Sequence, residues 1–517
     1  MPQSVRDPTA GWQHRSVKIV RGCSMRYRSF FLAALAAVVS DLPASAPILL
    51  TVNDFGDAGP GFCTATCTLR DALHDIADGG IIDFAPALQP QTITLAQGQL
   101  TILKSVAILG PGPRQLTISA NKLSRVITLV AQGGQHVIVS GMTLRDGKLV
   151  GSKGADGTNG ASDLTVDGQG GGSINGGCFS AGFAAPGTSS LVLEQIDVRD
   201  CEAIGGDGGA GGIGAAGTGL ATGGRGGNGG YGGSVQGAGI FVYLYPGSTL
   251  TLDNLSVINA TAKGGNGGPA GDGGPGLLKG KGGAGGSGGS VGGGAIRAAV
   301  LSGVVDLRNA TVADADMVAG NGADGGDGDP GLTTNPGGNG GNGGSATGGL
   351  VMMDNGSVAF ATLSHGSLTA GAPANGGAGA VAGTPGQPGT ISGIAIYANQ
   401  ATAVASVIVG PVSASASLCS PGLTAKPGYV NLDEDGSCSG FTLHGSLAAL
   451  FRPLDLSATA WPGYMPAYRS KLIDAATCSD GTLQPPTADQ HGTPRPQGAQ
   501  CDLGAIEADY VFVGEFD

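Results

Sequence analysis

Apolar and polar residues alternate in four segments of the chain that align on one template: 139–147, 191–201, 250–260 and 305–315. In the third segment, Leu250 and Leu252 alternate with polar neighbours, and the phase then shifts by one residue before Leu255 and Val257. Strict alternation is typical of a half-buried β-strand. A one-residue shift is what a corner between two short strands would produce. The pattern therefore predicts pairs of short strands, each joined at a corner and repeated along the chain.

Between these segments glycine occurs at every third residue, with one interruption in each run. Glycine fills the period on both sides of Leu220, and again around Leu277 and Thr334; a weaker first copy is interrupted at Asp163. The interruptions are evenly spaced, at a period of 57 residues. A three-residue period places glycine along one edge of a left-handed helix of the polyproline II type.

Each run is predicted to form an out-and-back hairpin of two glycine helices. Each arm would be about 12 residues and about 37 Å long at ~3.1 Å per residue. Proline, at 28 of 517 residues, is too sparse for a collagen triple helix. A flexible Gly-rich linker is the alternative. On the hairpin interpretation, the period glycines face neighbouring backbone, and the third-position residues Asn228, Asn266, Asn339 and Asn342 point to solvent.

Removing a glycine insertion of about 27 residues from the period leaves about 30, which suffices for one coil of a β-solenoid whose coils stack on one another. The predicted fold class is all-β, a right-handed parallel β-helix with Gly-rich, polyglycine II-like hairpin insertions at a 57-residue period. Coils spaced by ~4.8 Å would stack the hairpins into a two-layer flank. We expect the following pairs to lie one above the other: Leu252 on Leu193, Leu255 on Ile196, and Val257 on Val198.

The N-terminus has the features of an export signal. Arg26 and Arg28 precede an apolar stretch at 30–39, and small residues at 44–46 offer a cleavage site. Ten apolar residues are too few to span a bilayer. Either Met1 or Met25 could be the start. The predicted organisation is a signal segment (1–46), an N-terminal capping region (47–91), the β-helix (92–420), and a C-terminal module with a tail (421–517).

Composition fits an exported protein of low charge density. Charged residues make up 12% of the chain, against a usual ~25%, and 101 residues are glycine. Removing 1–46 leaves 20 basic and 36 acidic residues, a net charge of −16. Such a protein repels nucleic acid and anionic lipid surfaces, so we expect no nucleic-acid partner. Residues 510–517 contain no apolar span, so no C-terminal transmembrane anchor is expected.

Cysteine spacing predicts disulfide bonds. Cys23 lies in the signal segment, and the other eight of the nine cysteines fall into neighbouring pairs. An even number in an exported chain favours disulfides. A zinc site at Cys63 and Cys67 is the alternative, but no second close pair with histidine accompanies it. The expected bridges are Cys63 to Cys67, Cys178 to Cys201, Cys419 to Cys438, and Cys478 to Cys501.

Both ends of the mature chain resemble known families. The stretch 53–83, with CTLRDA at 67–72, is similar to bacterial surface proteins that carry a C-S-L-R-E-A motif. Near the C-terminus, SKLIDA at 470–475, DQHGTPRPQ at 489–497 and CDLGAIE at 501–507 resemble the choice-of-anchor Q domain. The resemblance implies an exported or surface-displayed bacterial β-helix, mostly without a defined activity. The glycine insertions look more like the Gly-Gly-x arrays of mycobacterial glycine-rich surface proteins.

Candidate chemistry is sparse. Asp314 and Asp316 could form half of the acidic cluster of a β-helix glycosidase or lyase, and a lyase also needs a base, for which Arg297 and Arg308 are the nearby candidates. The histidines of the mature chain show no metal-ligand spacing, so neither a metal nor a cofactor is expected. A short helix is predicted at 68–76 from its i, i+3, i+4, i+7 apolar spacing, capping the solenoid.

Three function classes remain open from the sequence. The first is a secreted or cell-surface structural or adhesin-like protein whose flat, nearly uncharged flank binds a polysaccharide or another surface component. The second is a carbohydrate-active enzyme on the same fold, which clustered acids with an arginine in one groove would favour. The third is an ice-binding protein.

Overall fold

The structure is a computed structural model that describes residues 48–59, 61–87, 89–160, 166–183, 187–300, 303–410, 416–444, 448–456, 461–478 and 487–508. The predicted signal segment, the interruption at Asp163 and the tail at 510–517 lie outside the described residues. Within the described ranges no helix is long and apolar enough to cross a membrane.

The described residues form one α-helix, α1 (Leu69–Asp75), a 3-10 turn at Ala448–Leu450, and a long series of β-strands. In chain order the strands are β1 (Leu49–Val52), β2 (Gly80–Phe84), β3 (Gln91–Thr94), β4 (Leu100–Ile102), β5 (Val106–Leu109), β6 (Leu116–Ser119), β7 (Ile127–Ala131), β8 (His136–Arg145), β9 (Lys148–Val150), β10 (Ile174–Asn175), β11 (Phe179–Phe183), β12 (Ser190–Arg199), β13 (Glu202–Ile204), β14 (Val235–Gln236), β15 (Ile240–Leu244), β16 (Thr249–Ile258), β17 (Thr261–Lys263), β18 (Val291–Gly292), β19 (Ile296–Val300), β20 (Val304–Ala313), β21 (Asp316–Val318), β22 (Ala346–Thr347), β23 (Val351–Ser364), β24 (Ser367–Thr369), β25 (Ile391–Ser392), β26 (Ile396–Val404), β27 (Val407–Val409), β28 (Leu423–Ala425), β29 (Leu432–Asp433) and β30 (Thr442–Leu443).

Each long strand bends at one residue, as the phase shift predicted. Gln195, Asn254 and Asn309 occupy equivalent places in β12, β16 and β20, with φ values of 53°, 50° and 45°. Left-handed backbone is tolerated best by asparagine and glycine among the genetically coded residues. A second left-handed corner follows each of these strands, at Asp200, Asn259 and Asp314, and leads into a short strand.

The coils stack in register and bury one apolar side chain on the next. Leu193 pairs with Leu252, Ile196 with Leu255, and Val198 with Val257, as predicted, and all six side chains are buried. Every pairing between named strands is parallel, so the fold is a parallel β-helix, in the right-handed sense expected of such crossovers. The ladder begins at β1 and runs to β30, beyond the expected limits of 92–420.

The predicted constant period of 57 residues is wrong. Hydrogen-bonded partners in successive coils are separated by 54, 59, 55 and 51 residues on the outgoing arms and by 61, 56, 55 and 45 on the returning arms. The paired strands keep their register throughout. The hairpins and the connecting loops therefore absorb the differences in coil length.

Helix α1 lies at the N-terminal end, where a cap was predicted. Thr68 and Asp71 bond to each other's backbone N–H in a capping box, which begins the helix. Arg70 reaches back to Asp57 at 2.9 Å and donates to the carbonyl of Gly98 at 2.7 Å. These residues of the CTLRDA motif thus fasten the cap to the first coils.

Candidate functional site: the glycine array and its surroundings

The glycine insertions form one ordered body, here called the glycine array, that projects between the short strands of successive coils. Its outgoing arms are 151–160, 205–217, 264–276, 320–331 and 371–379, and its returning arms are 166–173, 222–234, 279–290, 336–345 and 381–390.

Backbone hydrogen bonds join the two arms of each hairpin and also join neighbouring coils. Within one hairpin, the N–H of Gly227 donates to the carbonyl of Gly212 at 2.8 Å. Between coils, the N–H of Gly226 donates to the carbonyl of Lys281, also at 2.8 Å. The bonds repeat every third residue along the arms, which confirms the hairpins of three-fold glycine helices.

Glycine predominates at two of every three positions because the arms touch through their backbones, and alanine occurs at a few of them, such as Ala270 and Ala323. A Cβ atom on Gly226 would lie 2.0 Å from the carbonyl oxygen of Gly271, and one on Gly227 would lie 1.9 Å from that of Val166. On Gly283 it would lie 1.9 Å from the oxygen of Gly227. Neither arm can move away without losing its other bonds.

The third position was expected only to face solvent, and this expectation is wrong in part. Asn266, Asn339 and Asn342 are exposed, but Asn228 is half-buried. The side-chain oxygen of Asn228 accepts a hydrogen bond from the backbone N–H of Ala284 at 2.9 Å. The third N–H of a triplet has no backbone partner, and it is satisfied in this way where the preceding coil offers a side-chain oxygen.

These side-chain bonds form ladders that cross the coils. Asp207 accepts from the N–H of Asn266, Asn266 accepts from that of Asn321, and Asn321 accepts from that of Ala372, at 2.7 to 3.0 Å. A serine column does the same through Ser234, Ser290 and Ser345, with N–H to hydroxyl distances near 3.2 Å. Asn, Asp and Ser at the third position were the sequence signal for this arrangement.

Proline occurs where such a bond has no acceptor. Pro269 lies one coil after Ala210, and Pro336 one coil after Lys281, as the bonds of the adjoining glycines show. Neither alanine nor lysine offers a side-chain oxygen, and proline has no N–H to satisfy. Proline, which lacks the N–H donor, therefore occurs where the preceding coil lacks a side-chain acceptor.

The two outer faces of the array differ in charge. The outgoing face carries one lysine and five aspartates: Lys153, Asp156, Asp207, Asp272, Asp324 and Asp327. The returning face presents mainly hydroxyl and amide side chains, together with Tyr231, which is 70% exposed. It also carries four charged side chains towards the hairpin tips, namely Asp167, Arg225, Lys279 and Lys281, of which Arg225 pairs with Asp167. Neither whole face is therefore nearly uncharged as expected, but the part of the returning face next to the β-helix carries no charged side chain (170–173, 228–234, 284–290, 339–345 and 384–390).

The predicted catalytic residues do not converge. Asp314 forms a corner of the β-helix, and burial raises the pKa of its carboxyl group. Asp316 accepts a hydrogen bond from the Ser367 hydroxyl. Arg297 is 3.5 Å from Asp354, whereas Arg308 pairs with a different acid, Asp253.

Arg308 instead joins a cluster that the sequence analysis missed. It lies 3.0 Å from Asp253, and Asp253 is in register with Glu194 of the preceding coil. Burial and then the nearby Asp253 charge raise the pKa of Glu194 to about 7. Burial also raises the pKa of Asp253. Glu194 and Asp253 are 59 positions apart, and Asp253 and Arg308 are 55 apart, so only the coil register could have revealed the cluster.

The C-terminal segment covers a different face. Ser256, Thr311 and Thr362 form an outward column across three coils. Trp461 donates to Ser256 at 2.9 Å, and Thr311 donates to Gln490 at 2.6 Å. The C-terminal segment therefore packs on this column.

The C-terminal motif residues hold that segment together. Arg495 and Glu507 form a buried ion pair at 2.9 Å, and Arg495 also lies 4.7 Å from the centre of the Phe360 ring. Asp489 accepts backbone hydrogen bonds from Thr493 at 2.7 Å and Glu507 at 2.8 Å. In the described structure, these motif residues therefore stabilise the C-terminal segment.

The eight cysteines are paired as predicted. The bridges join Cys63 to Cys67, Cys178 to Cys201, Cys419 to Cys438, and Cys478 to Cys501. Their Cα atoms are 4.4, 5.5, 5.1 and 5.0 Å apart, within the usual range for disulfides. Four bridges are consistent with an extracellular protein.

A shallow cavity of about 260 Å³ lies where the β-helix meets the C-terminal segment. Phe451 and Tyr464 line it, and the Tyr464 hydroxyl lies 3.1 Å from Nδ1 of His365. Burial raises the pKa of Tyr464, so its hydroxyl is a hydrogen-bonding group. Among the described residues, no group of three histidine, cysteine or acidic side chains is arranged to hold a metal ion.

Comparison with known proteins gives distant likenesses. No protein-family model matches the chain, and no curated protein matches it. The crystal structure of pectate lyase Pel9A is similar over 90% of this chain and 97% of its own, with 13% identity and a TM-score of 0.30. ORF18 of Geobacillus virus E2 is similar over 81% of this chain and 66% of its own, with 10% identity and a TM-score of 0.22.

Proposed function

We propose that this protein is an exported structural or adhesin-like protein that binds an extended neutral polymer through the returning face of its glycine array. The observation that carries the proposal is the column of hydroxyl side chains that runs in register across five coils, at Ser173, Ser234, Ser290, Ser345 and Thr390, beside neighbouring positions that are mainly amide or hydroxyl. A flat lattice of this kind matches a repeating partner, such as a polysaccharide, better than it encloses a small substrate. The net charge of −16 for 47–517 disfavours polyanions.

Three exposed residues of the returning face are suited to testing the proposal: Tyr231, Thr384 and Gln387. No further array coil follows Thr384 and Gln387, and no described backbone N–H donates to any of the three side chains. Their removal should therefore leave the array intact. Tyr231 adds an apolar body with a polar tip, which suits a carbohydrate ring.

The experiment is a glycan array and polysaccharide pull-down with residues 47–517. The triple variant Y231A/T384A/Q387A should lose at least tenfold in affinity for the bound polymer. The variant I213A/N375A makes comparable changes on the outgoing face and should bind as the wild type does. Equal binding by all three proteins, or loss only in the outgoing-face variant, would contradict the proposal.

A carbohydrate-active enzyme is the second candidate, and the cluster of Glu194, Asp253 and Arg308 favours it. A carboxyl group with a pKa of about 7 is suited to general acid or base catalysis near neutral pH. The leading proposal expects no turnover of uronate or neutral polysaccharides. Turnover that is lost in E194Q and D253N but retained in D314N would instead establish the enzyme.

A further inference from the structure

The glycine array ends at its fifth hairpin, 371–390, and this edge differs from the interior. In the fourth hairpin, the N–H groups of Gly322, Gly325 and Gly328 donate to carbonyls of the fifth at 2.8 to 3.0 Å. In the returning arm, Gly337, Gly340 and Gly343 do the same at 2.9 to 3.0 Å. Six positions thus link the fourth hairpin to the fifth.

The register places the corresponding positions of the fifth hairpin at 373, 376, 379, 382, 385 and 388. Three of these are prolines: Pro373, Pro385 and Pro388. In the described arms of the earlier hairpins, the residues that donate these bonds are glycine, with Ala270 as the exception. Prolines that occur within those arms, among them Pro269, Pro275 and Pro336, lie at the outward third position instead.

The remaining edge positions lack partners. Among the described residues, none accepts a backbone hydrogen bond from Gly376 or Gly379. At the opposite edge, no described residue donates to the carbonyls of Lys153, Asp156 or Asn159. The array therefore has an N–H edge and a carbonyl edge that are chemically complementary, as unpaired sheet edges are.

We propose that Pro373, Pro385 and Pro388 terminate the glycine array and prevent its N–H edge from pairing with the array of a second copy of this chain. Proline removes the donor at each position, and its ring occupies the space that a neighbouring glycine helix would need. Proline is used in the same way to block exposed edge strands. The fold therefore contains an edge that could pair with a second copy, and these three prolines block that pairing.

The test restores the donors with P385A/P388A. Alanine is tolerated at this position, because Ala270 occupies it in the third hairpin and donates at 3.1 Å. The matched control is P269A/P275A, which replaces two exposed third-position prolines. In sedimentation velocity, the weight-average mass of P385A/P388A should rise with concentration to at least twice that of the wild type, while the control follows the wild type.

Hydrogen exchange separates edge pairing from nonspecific aggregation. On association, amides between 382 and 389 should become protected in P385A/P388A, without loss of protection in β26. If the edge variant melts as the control does and its mass equals that of the control at every concentration, the proposal is wrong. Association without protection at 382–389 would also overturn it.

Discussion

Leu255 and Gly283 belong to the same coil, but the contacts between coils differ around them. Apolar side chains make the contacts around Leu255, and backbone atoms make them around Gly283. Around Leu255 the contact between coils is made by stacked apolar side chains, with Ile196 on one side and Ala310 on the other. Around Gly283 it is made by backbone alone, and any side chain on the glycine would collide with a carbonyl. Backbone hydrogen bonds thus maintain the register in both regions, and burial of apolar side chains is added only around Leu255.

This difference explains the sequence of each region. A core position tolerates several apolar residues of similar volume, so the strands share a pattern rather than identical residues. A glycine position in the array is replaced mainly by alanine where a neighbouring arm leaves room, as at Ala270 and Ala323. The third position varies more widely, often with a residue that offers a side-chain oxygen to the next coil.

The largest effect is expected from Gly283→Val. The valine Cβ would fall within 2 Å of the Gly227 oxygen, so the hairpin must separate from its neighbours. Limited proteolysis and hydrogen exchange should show loss of protection across the third and second hairpins. Ala284→Val, one residue later at an outward position, is the control and should leave both readouts unchanged. Unchanged proteolysis and hydrogen exchange in both variants would indicate that the array is not ordered.

Leu255→Ala should destabilise the coils by about 2–5 kcal/mol through lost burial and a cavity. Thermal or denaturant unfolding measures the change. The exposed surface residue Leu123 provides the control, because Leu123→Ala removes the same atoms outside the core. Equal effects from the two variants would contradict the stacking of Leu255 in the core.

Glu194 makes the stability of the coils depend on pH. Its pKa is raised from its usual 4.5 to about 7, so the fold favours the neutral form. The associated stabilisation is present below pH 4.5 and is lost as the pH rises towards 7. After allowance for partial exposure, the loss should be about 1–3 kcal/mol.

The variant E194Q should abolish this part of the pH dependence. Melting temperatures of wild type and E194Q at pH 4.5 and 7.5 give the comparison, with E202Q as a control at the Lys148 ion pair. An unchanged difference between the two pH values in E194Q would show that Glu194 does not titrate in this window.

Asn228→Val should have the smallest effect. It removes the acceptor for the Ala284 N–H and leaves the glycine contacts in place, at a cost of about 0.5–1.5 kcal/mol. The exchange rate of the Ala284 amide should rise selectively. Asn228→Asp retains the acceptor and should keep that amide protected. Equal protection of Ala284 in the valine and aspartate variants would refute the role of the side-chain oxygen.

The fold could be predicted well because two short-range patterns encode it. The shift before Leu255 corresponds to the left-handed corner at Asn254, and the glycine period corresponds to the hairpins. The constant coil length failed because strand register does not restrict the length of an insertion that leaves and re-enters the coil at the same edge.

The candidate catalytic cluster could not be predicted for a related reason. Glu194, Asp253 and Arg308 meet only when coils of unequal length are aligned, and a fixed 57-residue offset places none of them together. Asp314 was a catalytic candidate in the sequence. However, Asp200 and Asn259 occupy the same left-handed corner in other coils, and this backbone conformation explains why a small polar residue occurs there.

The most direct test of the ordered glycine array is residue-resolved hydrogen exchange across 205–234, 264–290 and 320–331. Both glycines of each triplet should be protected, and the third amide should be protected only where the preceding coil offers an oxygen. Ala284 should therefore exchange slowly, while Asp324, which follows Pro269, should exchange rapidly. Uniformly fast exchange through both arms, with the amides of β16 protected, would show that the insertions are flexible linkers.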